Sequence, residues 1–188
     1  MRLEVSTPKS TLLLKPPRGG SLLLVSGGTG LAPVLQAFKV AVHWAGGGTG
    51  GRGQAASGGR GDPSASGCAG LQSVVLVHSA RTVADVCAHM LDEMACVVAA
   101  AGGAGVAARV HVAITGEGEL GRLKTPFAVS LTPGRITLGG AEGTLAQAWQ
   151  GRSGVCVVSG PQGMLDDVKR LAVDHLSIPV DLCHLLEA

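Results

Sequence analysis

Apolar positions in this chain follow two rhythms. Four short runs, at 22–25, 74–77, 110–114 and 155–158, are dense in Leu, Val and Ile. Runs of this kind suit parallel strands buried on both faces. Elsewhere the period lengthens: Leu31, Val34, Leu35, Phe38 and Val42 recur at helical spacing, as do Leu165, Val168, Leu171, Ala172 and Leu176. Residues 83–98 are also compatible with a helix. Strand–helix alternation predicts an α/β fold, a doubly wound parallel sheet of about five strands with the first strand central. A terminal strand would carry Cys183 and His184 on opposite faces.

Two stretches break the rhythm. Residues 45–70, AGGGTGGRGQAASGGRGDPSASGCAG, lack apolar periodicity and read as a flexible inserted loop. Their Arg60-Gly61-Asp62 is read as a chance tripeptide. Residues 99–108, AAAGGAGVAA, read as a second, shorter spacer. The expected organisation is therefore a short separate segment at 1–20 and one domain at 21–188 with Gly-rich insertions at 45–70 and 99–108.

In open parallel sheets the ligand lies beyond the carboxyl ends of the strands, so the residues after each strand carry the chemistry. After the first strand comes Ser26-Gly27-Gly28-Thr29-Gly30-Leu31-Ala32-Pro33. Glycine lets the backbone turn and approach a ligand, and the following helix directs free N–H groups and a positive dipole end at the loop. Pro33 fits the first helical turn, where its missing N–H costs nothing. A phosphate loop and a plain tight turn both satisfy this pattern. After the second strand come Ser79 and Arg81, a hydroxyl and a guanidinium able to hold a ribose or phosphate, and then Asp85. After the third come Glu117 and Glu119. After the fourth, Ser159-Gly160-Pro161-Gln162-Gly163-Met164 turns directly into a helix. Two such turns in one sheet favour a ligand over two unrelated turns.

Composition narrows the function. Aromatic residues are 2% of the 188 residues and Tyr is absent, which disfavours nucleic-acid binding by base stacking. A net charge of +2 supports no electrostatic partner. No apolar run approaches the ~20 residues of a membrane span, and the start shows no readable targeting signal. Five cysteines, never spaced C-x-x-C, suit a reducing, intracellular compartment. Cys87 and His89 do not share a helix face, so no metal site is expected. No G-x-S-x-G elbow supports a hydrolase.

GGTGLAP followed by VCVVSGPQGM resembles the nicotinamide-nucleotide-binding lobe of the ferredoxin-reductase-like flavoproteins, which include cytochrome b5 reductases and phthalate dioxygenase reductases. HSAR, TPGRIT and SIPVDLCHLLEA are most similar to the oxidoreductase NAD-binding-domain-containing proteins, a mitochondrial-type branch. The resemblance covers about residues 20–188 outside the two spacers. It implies that Gly27, Gly28, Thr29, Gly30 and Pro33 form the pyrophosphate loop and its helix start. It places Ser79 and Arg81 near the adenosine ribose, and Gly160, Pro161 and Met164 near the nicotinamide.

The chain departs from the family pattern at Ser159, where the family usually has a cysteine beside the hydride-transferring carbon. Ser159 is thus the candidate catalytic position. The family's aromatic residue near the C-terminus has no counterpart here. Residues 1–20 read as the remnant of a flavin-barrel strand and linker, so FAD is expected only if a flavin domain is supplied elsewhere, in cis or in trans. NAD(H) is expected over NADP(H), because Glu117 and Glu119 would repel a 2′-phosphate. The alternative reading is a nucleotide-binding module, or a truncated homologue, without independent activity. A third is an unrelated α/β phosphate-binding domain.

Overall fold

The structure is a computed structural model; it describes residues 20–46, 71–86, 88–116, 129–134, 144–149 and 152–187. The first strand, β1 (Ser21–Gly27), is buried along its whole length. A single 3-10 turn (Gly28–Gly30) leads from it into α1 (Leu31–Ala45). Then follow β2 (Ser73–Ala80), α2 (Ala88–Gly103), β3 (Ala107–Ile114) and β4 (Val129–Pro133). The chain continues with α3 (Thr144–Trp149), β5 (Gly154–Gly160), α4 (Gln162–Asp174) and β6 (Cys183–Glu187).

The strands form one six-stranded sheet in the order β4-β3-β2-β1-β5-β6. Every neighbouring pair is parallel. The first strand is central, as expected, and the sheet has six strands rather than about five. The additional one is β4. Its pattern, Val-Ser-Leu-Thr-Pro, has two apolar side chains, and only Val129 is fully buried. An edge strand paired on one side needs no continuous apolar run, so the density of Val and Leu that marks central strands is missing.

Side chains alternate across the sheet and fill two cores. Leu22, Leu24, Val74, Leu76, Val155 and Val157 face α1 and α2, packing on Phe38, Val34, Leu91 and Met94. Leu23, Val25, Val75, Val77, Cys156 and Val158 face α3 and α4, packing on Trp149, Leu145, Leu165 and Val168. The sheet is therefore covered on both faces, as in doubly wound folds. Each fully buried Leu, Val or Phe contributes about 1.5–3 kcal/mol of burial, so the uninterrupted runs are what make these strands interior. All five stripe positions expected on α1 are buried, and so are all five at 165–176.

Residues 99–108 are not a spacer. Residues 99–103 are the end of α2, and 107–108 open β3. Ala is the best helix former, and Ala101 and Val106 are buried in the core. That packing outweighs the two glycines at 102–103. Within 45–70, Ala45 ends α1 and Gly46 turns; 47–70 lie outside the described residues, as do 1–19.

Candidate functional site

The strand order reverses at β1, with β2 on one side and β5 on the other. Their carboxyl ends bring the two glycine turns together, although 130 residues of chain separate Gly30 from Gly160. A Cβ on Gly160 would lie 3.3 Å from the Gly27 nitrogen and 2.5 Å from Met164 Cε. One on Gly27 would lie 2.7 Å from Met164 Sδ and 3.5 Å from Pro161 Cδ. The Met164 side chain therefore lies across both turns, and a side chain at either glycine would make its flexible thioether end move aside. A Cβ on Gly30 would overlap the Ser159 carbonyl oxygen, so Gly30 seats the start of α1 directly on the end of β5. Gly28 differs: its φ is +54° and nothing stands near its absent side chain. It is exposed to the cleft, in the left-handed conformation that glycine adopts without cost.

The cleft above these turns measures 860 Å³. Gly27, Gly28 and Thr29 form one wall, and Pro161 and Met164 another. Val25 and Val168 add apolar lining, with the His78 ring and the Asp167 carboxylate also at the cleft, while Ser79, Arg81, Asp85 and Thr115 close the far side. A shallower extension of 500 Å³ runs past Gly160, Pro161, Gln162 and Leu165. Neither turn is capped by a side chain at Gly27 or Pro161. The first N–H groups of both helical segments are thus without side-chain acceptors, which is the arrangement that receives an anion. Pro33 stands in the first turn of α1, exposed and outside the lining.

The far wall is held by backbone contacts. Thr115 N–H donates to the Ala80 carbonyl at 2.9 Å, and Gly116 N–H to the Arg81 carbonyl at 2.7 Å. The loops after β2 and β3 are thereby tied together at Arg81. Asp85 accepts from Thr82 N–H at 2.8 Å in a reciprocal cap that starts the next turn. Hydrogen bonds from Thr82, backbone first and then side chain, hold the Asp85 carboxyl below its ordinary range. One exposed cation and one fixed anion therefore share this wall. Glu117 and Glu119 lie outside the described residues.

Sequence reasoning missed a polar row beneath the loop. His78, Ser26 and Ser159 are in register across β2, β1 and β5 and share one face. All three are buried. Ser26 Oγ lies 3.0 Å from His78 Nδ1. Burial pushes the His78 imidazole down to about 4, against smaller opposing effects of Ser26 and Asp85. A polar residue at the end of each apolar run was the available signal. Ser159 is fully enclosed and is not among the residues lining the cleft. Its hydroxyl has no hydrogen-bond partner among the described residues. It faces α1, on the same side as Val155 and Val157. Of the expected positions, Gly27, Gly28, Thr29, Ser79, Arg81, Gly160, Pro161 and Met164 line the cleft and its extension, whereas Gly30, Pro33 and Ser159 shape it from outside.

Among the described residues, no group of three His, Cys, Asp or Glu side chains is placed to hold a metal, and no helix is long and apolar enough to cross a membrane. No protein-family model and no curated protein matches the chain.

Proposed function

We propose that the cleft binds a nicotinamide dinucleotide and that the chain is the NAD(P)H-binding lobe of a flavin-dependent oxidoreductase. The observation carrying this reading is the meeting of two uncapped glycine turns across β1 and β5, at the point where the strand order reverses. An elongated ligand with a central diphosphate matches that geometry. Its negative charge lies against the N–H groups following Gly27 and Pro161. Its adenosine half extends towards Ser79, Arg81 and Asp85, and its nicotinamide half towards Gly160 and Met164.

The donor set fits this cofactor: backbone N–H groups for the diphosphate, a hydroxyl and a carboxylate for a ribose, and apolar lining for a ring. When bound, the nicotinamide supplies a hydride. The chain itself binds, orients and excludes water from one side of the ring through Met164 and Pro161. FAD, the partner acceptor, would be held by a separate domain in cis or in trans. A hydride acceptor must stand about 3–3.5 Å from the donor carbon, and no group of the described cleft is such an acceptor.

NAD(H) is favoured over NADP(H), now on Asp85. Its carboxylate, although engaged by Thr82, has further lone pairs for a ribose 2′-hydroxyl and repels a 2′-phosphate. Arg81 opposes this preference. Fluorescence titration of the chain with NADH and NADPH at low salt tests the assignment. NADH is expected to bind more tightly, with Asp85→Asn narrowing the gap and Arg81→Ala widening it. Binding of neither cofactor would remove the nucleotide reading altogether.

A second reading is favoured by Ser159, whose side chain is fully buried and outside the cleft lining. On it, the chain is a nucleotide-binding module without independent activity. The two separate when the chain, alone and then with a flavin-loaded reductase domain supplied in trans, is given NADH and an electron-accepting dye. Dye reduction that needs both the chain and the flavin domain supports the oxidoreductase lobe; binding with no turnover in either case supports the module.

A further inference from the structure

We propose that Cys156 and Cys183 are a redox-active pair that closes to an intrachain disulfide between β5 and β6 under peroxide. The two are direct partners in the parallel register of these strands. Paired residues on neighbouring strands point to the same face, and both pack in the core formed by α3 and α4. Neighbouring strands lie about 4.8 Å apart, within the ~4.4–6.8 Å Cα separation that a disulfide spans. Both are free thiols. Closing the bond therefore keeps the strand register and needs the two Cβ atoms to approach within the ~3.5–4.5 Å that a disulfide spans.

Access orders the chemistry. Cys156 is fully buried, whereas Cys183 is half-buried on the edge strand. Peroxide reaches Cys183 first. The neighbouring Cys156 thiol, which itself is held protonated, and the Lys169 cation favour the Cys183 thiolate, against its partial burial and the Asp181 charge. The Cys183 sulfur displaces water from hydrogen peroxide and becomes a sulfenic acid. The Cys156 sulfur then attacks that sulfur, the S–O bond breaks, and a second water leaves with the Cys156 proton. Two thiols lose two electrons, and one peroxide is reduced to two waters. The product staples the outermost strand to β5, whose far end carries the Gly160 turn. Cys96, exposed on α2, belongs to the other face of the sheet and has no such partner among the described residues.

Peptide mapping of the full, pre-reduced chain tests this directly. After treatment with stoichiometric hydrogen peroxide, free thiols are alkylated and the digest is read without reduction. The expected product is a Cys156–Cys183 cross-linked peptide that dithiothreitol dissolves. Oxidation should also raise the melting temperature by several degrees, as closing a loop of this length does, and slow amide exchange in β6. In Cys156→Ser, dimedone should trap Cys183 as its sulfenic acid. Cys183→Ser should leave Cys156 a free thiol. The proposal is overturned if the wild-type chain keeps Cys156 free while Cys183 is over-oxidised, or if Cys183 pairs with another cysteine. The wild-type map decides the matter even if the buried Cys156→Ser variant fails to fold, and it does not depend on nucleotide binding.

Discussion

His78 is enclosed beside the cleft with Nδ1 3.0 Å from the Ser26 hydroxyl, and burial lowers its imidazole from 6.5 to about 4. The unfolded chain takes up this proton near the ordinary value, the folded chain only near the depressed one. Between them the unfolded state holds more protons, so stability rises with pH. No penalty applies above about 6.5, and it grows to about 3 kcal/mol as pH falls to 4. His111, also lowered, mainly by burial, adds in the same direction. Urea unfolding across this window should show the slope, and His78→Gln should flatten most of it. Parallel curves for the two proteins would assign the slope elsewhere. The glycines divide by the same residue-level logic. Gly30→Ala drives a methyl into the Ser159 carbonyl and should cost about 1–3 kcal/mol of stability. Gly28→Ala meets no atoms but forces a left-handed alanine, about 1–2 kcal/mol, and its methyl should weaken nucleotide binding more than it weakens the fold. Equal losses of affinity per unit of stability in the two variants would contradict that division.

At the scale of elements, α3 shows how little helix is needed to close a core. It has six residues, too few to be stable alone. Leu145, Ala148 and Trp149 are buried against β1, β2 and β5 together with α4. Trp149→Ala should therefore cost about 3–5 kcal/mol, read as a fall in the urea midpoint. A change below about 1 kcal/mol would show that α3 is peripheral. The ion pair between Lys39 on α1 and Glu93 on α2 is different in kind. Both side chains are about a third exposed, 37% and 31%, and such pairs contribute about 0–1 kcal/mol. Packing of Phe38 and Met94 beneath it, not the charge, joins these helices.

Over the whole molecule, the site exists because strands distant in sequence are neighbours in the sheet. Binding a nucleotide at saturation, near 100 times its Kd, should stabilise the fold by about 2.7 kcal/mol. Hydrogen exchange should then slow at both turns together, in 27–31 and 160–165, while β4 at the opposite edge is unchanged. Protection at one turn alone would mean that the ligand does not bridge β1 and β5. Protection spread evenly to β4 would indicate general stabilisation rather than a bridged site.

Much of this architecture is legible along the chain. Dense Val and Leu runs can be satisfied only by strands buried on both faces, and stripes at helical spacing only by helices packed on one side. Their alternation determines a parallel α/β sheet, and the glycine turns mark where its strands end. Those properties are local, so a periodic pattern carries them. The edge strand β4 escaped because half-exposed positions impose no such pattern, and the alanine-rich end of α2 escaped because its buried side chains are small. Neighbourhood was not local at all. That Gly30 rests on Ser159, that His78 reaches Ser26, that Met164 crosses both turns and that Cys156 faces Cys183 all follow from strand order and register. Those are settled only when two helices on each face bury the sheet as a whole, because the free energy selecting the register belongs to the assembled core and to no single segment.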